Sequence, residues 1–276
     1  MSKGVLIFAY NSKLDYVSLA SVAASLVNKH LDLPVTLVTD TDKVDRSLFD
    51  QVIVQPLSGT SFERVFKFGS ETVKVPWHNQ GRASAYDLSP YDQTLLLDAD
   101  YLQFNNNLKF LFDTNLDVSC YDRIHDVSCW EGLQREAWVG FPGISMQWAT
   151  ALYFTKSRAA EAVFDMMKMV KENYAYYGAL YNFGTELFRN DYTLSIALQT
   201  LSGYGKVNFC PIPGNLITTN TGIELFEARP NGELVFVWKY NDTYRVNKIK
   251  NTNVHIMNKK SITDSRIIGQ LWELAK

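Results

Sequence analysis

Residues 4–9 (Gly-Val-Leu-Ile-Phe-Ala) form an unbroken apolar run that stops at Tyr10, Asn11 and Ser12. A strand with one face in water alternates apolar and polar residues. A continuous run therefore describes a strand buried on both faces, as in the middle of a parallel sheet. From Asp15 the period changes: Val17, Leu19, Ala20, Ala23, Ala24, Leu26 and Val27 recur at helical spacing behind an acidic residue suited to start a helix. Residues 34–39 (Pro-Val-Thr-Leu-Val-Thr) and 51–54 return to strand character. Strand, helix and strand at this spacing make a βαβ unit, whose crossover is almost always right-handed. The chain is thus expected to be α/β, a mostly parallel sheet flanked by helices.

The rest of the chain extends this pattern. Residues 78–88 are expected to be helical and to end before Ser89-Pro90, because the residue preceding proline avoids the α region. Residues 94–97 are a fourth buried strand that runs directly into Asp98-Ala99-Asp100. Open α/β sheets bind ligands beyond the carboxyl ends of their strands, so this placement marks a candidate site. Further strands are expected at 149–155 and helices at 157–172, with Ser157 as N-cap, and at 191–202, stopped by Gly203. Residues 235–240 and 244–249 read as a small antiparallel C-terminal part turning at Asn241-Asp242-Thr243. No repeat, low-complexity tract or linker interrupts the 276 residues, and one domain over 1–276 is expected.

Composition narrows the partners. Hydrophobic residues make up 46% and aromatics 13%, enough for a large core. A net charge of -2, from 27 basic and 29 acidic residues, gives no global field for nucleic acid or anionic lipid, so any polyanion site must be local. The start, Met-Ser-Lys-Gly, lacks the layout of a signal peptide, and no apolar run reaches the roughly 18 residues of a membrane span. A soluble, cytoplasmic protein is expected. Cys120, Cys129 and Cys210 lack Cys-x-x-Cys spacing and are expected to be buried reduced thiols.

Two carboxylates at i and i+2 beyond a strand end can turn toward one ligand, and they are hard oxygen donors of the kind that hold Mg2+ or Mn2+ against phosphates. Behind them Leu95-Leu96-Leu97 is a buried run, so the acids bring charge to a place where something must neutralise it. Residues 89–102 (Ser-Pro-Tyr-Asp-Gln-Thr-Leu-Leu-Leu-Asp-Ala-Asp-Tyr-Leu) resemble the segment of GT-A glycosyltransferases, especially the glycogenin and galactosyltransferase group, in which a strand delivers a metal-binding Asp-x-Asp. That resemblance implies a GT-A fold, a divalent cation (Mn2+ or Mg2+) and a nucleotide-sugar donor, with a UDP-sugar expected. Asp100 would bind the metal, and Asp98 would share it or contact the donor's ribose.

The same resemblance assigns further residues. Ala9, Tyr10 and Asn11 sit where similar enzymes cradle the nucleotide, and Arg82 where they aim a basic residue at the donor. His255 matches a late metal-binding histidine and Lys259 a lysine that contacts the diphosphate, although the usual Gly between them and the Pro-Trp after the lysine are absent. Asp191, beside Asn190, matches an acidic acceptor-side position and is equally suited to cap a helix. Trp148-Ala149-Thr150-Ala151 stands where retaining relatives carry Asn-Ser-Gly. Residues 1–102 would then bind the nucleotide sugar and 103–276 the acceptor. A retaining enzyme needs no strong base on the acceptor face, whereas an inverting one would use Asp191 or Glu186.

Two other readings stand beside this one. A nucleotidyltransferase also uses a Rossmann-like sheet and paired carboxylates, but it carries a glycine-rich phosphate loop after the first strand, and here that turn is Ala9-Tyr10-Asn11-Ser12. A non-catalytic nucleotide-sugar-binding protein would have no need for both acids. For the acceptor the sequence is compatible with a glycan, a protein or a modified DNA base. Lys67, Lys74 and Arg82, with Arg245, Lys248, Lys250, Lys259 and Lys260, could form a basic rim, and Trp77, Trp130, Trp138 and Trp148 could stack on sugars or bases.

Overall fold

The computed structural model describes residues 1–11, 14–55, 63–68, 71–76, 79–128, 137–140, 143–183, 188–202 and 205–276, with backbone alone for 63–68, 71–76 and 79–80. In chain order, β1 (Lys3–Ala9) leads to α1 (Tyr16–Leu31), whose first turn is capped by Asp15 accepting from the Ser18 N–H at 3.0 Å. Then come β2 (Val35–Thr39), β3 (Gln51–Val54) and a hairpin of β4 (Glu63–Phe68) and β5 (Glu71–Pro76). A 3-10 helix (Asn79–Ser84) runs into α2 (Ala85–Leu88), followed by β6 (Gln93–Asp98), β7 (Tyr101–Leu102), β8 (Val118–Tyr121) and β9 (Ile124–Asp126). Next are β10 (Trp138–Val139), β11 (Ile144–Ser145), β12 (Trp148–Thr155), α3 (Arg158–Glu172), α4 (Tyr174–Leu180) and α5 (Asn190–Ser202). The chain closes with β13 (Leu216–Thr218), β14 (Glu224–Ala228), β15 (Glu233–Tyr240), β16 (Thr243–Lys250), β17 (Val254–His255), α6 (Lys259–Ile262) and α7 (Ser265–Ala275).

The central sheet has the order β3-β2-β1-β6-β12-β8. β1 pairs in parallel with β2 and β6, and β2 with β3, while β12 runs antiparallel to both β6 and β8. This is the mixed α/β class expected, a mostly parallel sheet with helices on its faces. Alternation along β1 explains the continuous apolar run. Val5, Ile7 and Ala9 enter one core with residues of α1 and α7, and Leu6 and Phe8 enter another with residues of α3 and α5. Both faces of the strand are buried from Gly4 to Ala9, which accounts for the unbroken apolar run.

Beside the two-stranded β4-β5 and β10-β11 pairs, a three-stranded and a four-stranded sheet flank the central one among the described residues. β14, β15 and β16 form the expected antiparallel C-terminal part, and its turn places Asn241 and Asp242 at φ 44° and 58°. These two residue types tolerate the left-handed region that a tight hairpin turn requires. The four-stranded sheet β7-β17-β13-β9 lies directly beyond the end of β6.

The expected helix over 78–88 is corrected: the described part is a 3-10 helix and then a single α-turn. Gly81 lies within it against Tyr10 and Phe8, where a β-carbon would stand 3.4 Å from the Tyr10 hydroxyl. A glycine disfavours a regular helix, and the close approach favours the tighter winding. Among the cysteines, Cys120 is buried as expected and Cys210 is exposed, contrary to expectation, in the loop segment before Pro211. Cys129 lies outside the described residues. No helix among the described residues is long and apolar enough to cross a membrane.

Candidate functional site

β6 ends at Asp98, whose register partner on the central strand is Phe8. The chain then turns through Ala99 and Asp100 and re-enters a strand at Tyr101, opposite His255. The Ile256 N–H donates to the Asp100 carbonyl at 3.0 Å, so β17 is fastened to the very turn that carries the acids. In this way the short second sheet brings His255 to the strand end from more than 150 positions away.

One ligand atom each from Asp98, Asp100 and His255 falls within 4.8 Å of the other two. His255 Nε2 is 3.4 Å from Asp100 Oδ1 and 3.9 Å from Asp98 Oδ2. Two hard carboxylates beside an imidazole suit Mn2+, and the carboxylates alone suit Mg2+; ligands bound at about 2.1 Å necessarily stand only a few ångströms apart. The donor set therefore fits a divalent cation. Burial pushes the imidazole pKa below its usual value. Asp98 and Asp191 pull it upward, and Arg82 adds to the lowering. The neutral form, which offers a lone pair, is favoured by that burial.

Two cations converge on the same acids. Arg82 Nη1 binds Asp98 Oδ1, and Lys259 Nζ binds Asp100 Oδ2. The Arg82 side chain is 4% exposed, and its Nε and Nη2 have no hydrogen-bond partner among the described residues. Leaving a buried donor unpaired costs about 1–3 kcal/mol, more for a charged group, so an arginine held this way is matched to oxygens that a ligand would supply.

The remaining expected residues divide. Ala9 is buried in β1 as the Cα partner of Thr39. The Tyr10 hydroxyl donates to Gln55 Oε1 at 3.4 Å, and burial with help from Asp40 raises its pKa to about 12. The Asn11 N–H donates to Asp40 Oδ1 at 3.2 Å, and the Asn11 side-chain oxygen accepts from the Val17 N–H at 3.1 Å. Its amide oxygen is thereby committed to the start of α1. Asp191 lies inside the first turn of α5 and does not cap it: Oδ1 accepts from the Ala149 N–H at 2.9 Å and Oδ2 from Arg189 at 3.2 Å. Ala149 stands on the strand beside β6, which carries Asp191 toward the metal-type cluster. Glu186 lies outside the described residues.

Arg189 was not expected. Its guanidinium sits over the Trp148 and Tyr192 rings, 5.5 and 4.9 Å from their centroids, while it pairs with Asp191. Trp148 is consequently a buried support for Arg189, whereas Trp138 is exposed as a stacking residue would be. Trp77 and Trp130, and the side chains of Lys67 and Lys74, lie outside the described residues. Arg245, Lys248, Lys250 and Lys260 are exposed, with Lys248 Nζ 3.8 Å from Glu233 and Arg245 over Tyr240. A cavity of about 390 Å³ lined by Asp32, Pro34, Phe49 and Asp50 opens at the opposite, N-terminal ends of β2 and β3 and has no part in this cluster.

No family model and no curated protein matches the chain. Among solved structures it is similar to the glycosyltransferase GlyE of Streptococcus pneumoniae TIGR4, at 14% identity and TM-score 0.45, over 76% of this chain and 45% of that one. It is also similar to the galactosyltransferase LgtC in complex with donor and acceptor sugar analogs, at 14% identity and TM-score 0.43, over 75% and 72% of the two chains. A third is the mannosyltransferase PcManGT from Pyrobaculum calidifontis in complex with GDP-Man and Mn2+, at 14% identity and TM-score 0.40, over 78% and 55%. The chain thus spans less than half the length of the GlyE chain it matches. At such identities and scores these likenesses assign no residue a role.

Proposed function

We propose that the chain is a GT-A-type glycosyltransferase that moves a sugar from a nucleotide-sugar donor, with a UDP-sugar as the leading candidate, to a hydroxyl acceptor in the presence of a divalent cation. The observation that carries this reading is the convergence of Asp98, Asp100 and His255 at one strand end, flanked by the buried and half-paired Arg82. A diphosphate with its cation would supply oxygens for the buried arginine and a further positive charge between the acids. Such a cation, held by Asp98, Asp100 and His255, would supply Lewis-acid stabilisation of charge on the leaving group.

The chain's own residues do the rest. When the bond from the anomeric carbon to the phosphate oxygen breaks, its electron pair stays on the departing diphosphate. Arg82 and Lys259 are the groups placed to bind that growing negative charge. Both Asp191 oxygens already accept hydrogen bonds, from Ala149 and Arg189, which suits an orienting role better than deprotonation. Transfer is accordingly read as retaining: the acceptor oxygen bonds to the anomeric carbon and its proton passes to the departing phosphate.

The test is calorimetry of UDP and of GDP, with Mn2+ and with chelator, followed by mass spectrometry of reactions that combine UDP- and GDP-sugars with glycan, protein and modified-DNA acceptors. Nucleotide binding far tighter with Mn2+, and release of nucleoside diphosphate, are expected. Equal affinity with chelator would end the metal reading, and no transfer from the nucleotide sugars together with release of pyrophosphate from a nucleoside triphosphate and a sugar 1-phosphate would identify a nucleotidyltransferase instead.

A further inference from the structure

We propose that Thr218 is a positioning residue for His255, holding the imidazole in the tautomer that carries its proton on Nδ1 and presents the Nε2 lone pair to the space between Asp98 and Asp100. The inference rests on the metal reading above and adds to it a residue that neither binds the metal nor touches substrate.

Thr218 is fully buried at the end of β13, and its Cα partner across the parallel pair is His255. Its hydroxyl has three polar neighbours: the His255 carbonyl at 3.1 Å, the Thr219 carbonyl at 3.2 Å and His255 Nδ1 at 3.4 Å. A hydroxyl has one proton to give and two lone pairs to receive with. Both carbonyls can only accept, and both are nearer than the ring, so the proton goes to a carbonyl. What remains toward the imidazole is a lone pair, and it can be satisfied only by an Nδ1–H. A neutral imidazole protonated on Nδ1 is unprotonated on Nε2, the nitrogen that faces Asp100 at 3.4 Å. The opposite tautomer would require the hydroxyl to turn its proton away from two closer acceptors.

The surroundings make the arrangement firm. Thr219 donates its N–H to the His255 carbonyl at 3.0 Å and accepts the Met257 N–H on its hydroxyl at 3.0 Å. The Thr218-Thr219 pair therefore fixes both the ring and the backbone of a strand only two residues long. On the far side of Thr218 its register partner Asp126 is turned to its own loop, accepting from the Ser128 N–H and from Asn220. That carboxylate is occupied, which leaves Thr218 as the partner of the ring.

Partners that orient a metal-bound histidine typically change metal affinity by about 10–100-fold when removed. Thr218→Val keeps the shape and deletes the hydroxyl, and Thr218→Ser keeps the hydroxyl and deletes a methyl. A positioning role predicts that Val weakens Mn2+ affinity, read by Mn2+ electron paramagnetic resonance with UDP present, by about tenfold or more while Ser stays near wild type. A role in packing alone predicts the reverse order. A second measurement needs no folded variant at this position: long-range 1H–15N spectra of the wild-type protein, with the His255 signal assigned against His255→Gln, should show the proton on Nδ1 with Mg2+ bound. Equal Mn2+ affinity for Thr218→Val, a weaker Ser than Val, or a proton on Nε2 would overturn the inference. Absence of Mn2+ binding to the wild type would instead overturn the metal reading, and this inference with it.

Discussion

Asp100 carries a partner on each of its carboxylate oxygens. Its Oδ2 holds the Lys259 ammonium, and its Oδ1 faces His255 Nε2 at 3.4 Å. An ammonium and a divalent cation compete for the charge of the same carboxylate, so metal entry is expected to weaken the Lys259–Asp100 pair and let the lysine turn toward a diphosphate. Lys259→Ala should therefore bind Mn2+ more tightly than wild type and yet turn over more slowly, a pair of opposite changes that calorimetry and initial rates would separate. Slower turnover with unchanged Mn2+ affinity would mean that the lysine does not contest the site. Asp100→Asn, which removes ligand charge with little change in volume, should abolish Mn2+-dependent UDP binding and leave the circular dichroism spectrum intact. The two acids were legible in the sequence because carboxylates at the end of a buried leucine run leave few structural uses for that charge, whereas His255 was legible by resemblance. Arg82 and Lys259 were legible by resemblance alone. Thr218 and Arg189 were not legible: a threonine in a three-residue strand and an arginine after an aromatic stretch acquire partners only when distant segments meet.

Elements with strong periodicity declared themselves, and elements defined by contact did not. β1, β2, β3, β6, β12, α3 and α5 lie within a residue or two of their expected ranges, and α1 starts where expected and runs on to Leu31, since burial on one or both faces writes a period into the chain. The β4–β5 hairpin alternates apolar residues around Gly69-Ser70 and was readable by the same rule, though it was not among the expectations. β7 and β17 are two residues each, too short for any period, and exist because they pair with one another beside the acids. Packing around the central strand sets the element-scale prediction. A β-carbon added at Gly4 would stand 2.3 Å from Tyr91 Cζ and 2.4 Å from Cε2, and the hydroxyl of that ring is bound to that of Thr36 at 2.8 Å. The ring cannot retreat without losing that bond and exposing the base of β1. Overpacking of this kind costs about 1–3 kcal/mol. Gly4→Ala should lower the urea midpoint by a corresponding amount with an unchanged slope, and an unaltered midpoint would show that Tyr91 has room to move.

At the scale of the molecule the question is whether 1–102 and 103–276 can come apart, since function was divided between them on sequence grounds. The sheet argues against separation: β12 pairs with β6 from Ala151 opposite Leu97 to Thr155 opposite Gln93, so the second half completes the sheet of the first. One core holds Val5, Leu26, Leu97, Tyr153, Phe236 and Leu274 together, and Lys29 reaches the Leu274 carbonyl at 2.8 Å. The candidate site repeats the pattern, with acids from one half and His255 and Lys259 from the other. We expect a single cooperative transition, with tryptophan fluorescence and far-ultraviolet dichroism superimposing through urea unfolding. Ligand that binds only the folded site then stabilises the whole chain: Mn2+ and UDP at about 100 times their dissociation constant should add about 2.7 kcal/mol. For a chain of this size that corresponds to roughly 5–10 °C in the thermal midpoint, seen equally by both probes. Two transitions, or a ligand shift confined to one of them, would show that the halves are separate units and that the site is assembled from parts that fold independently.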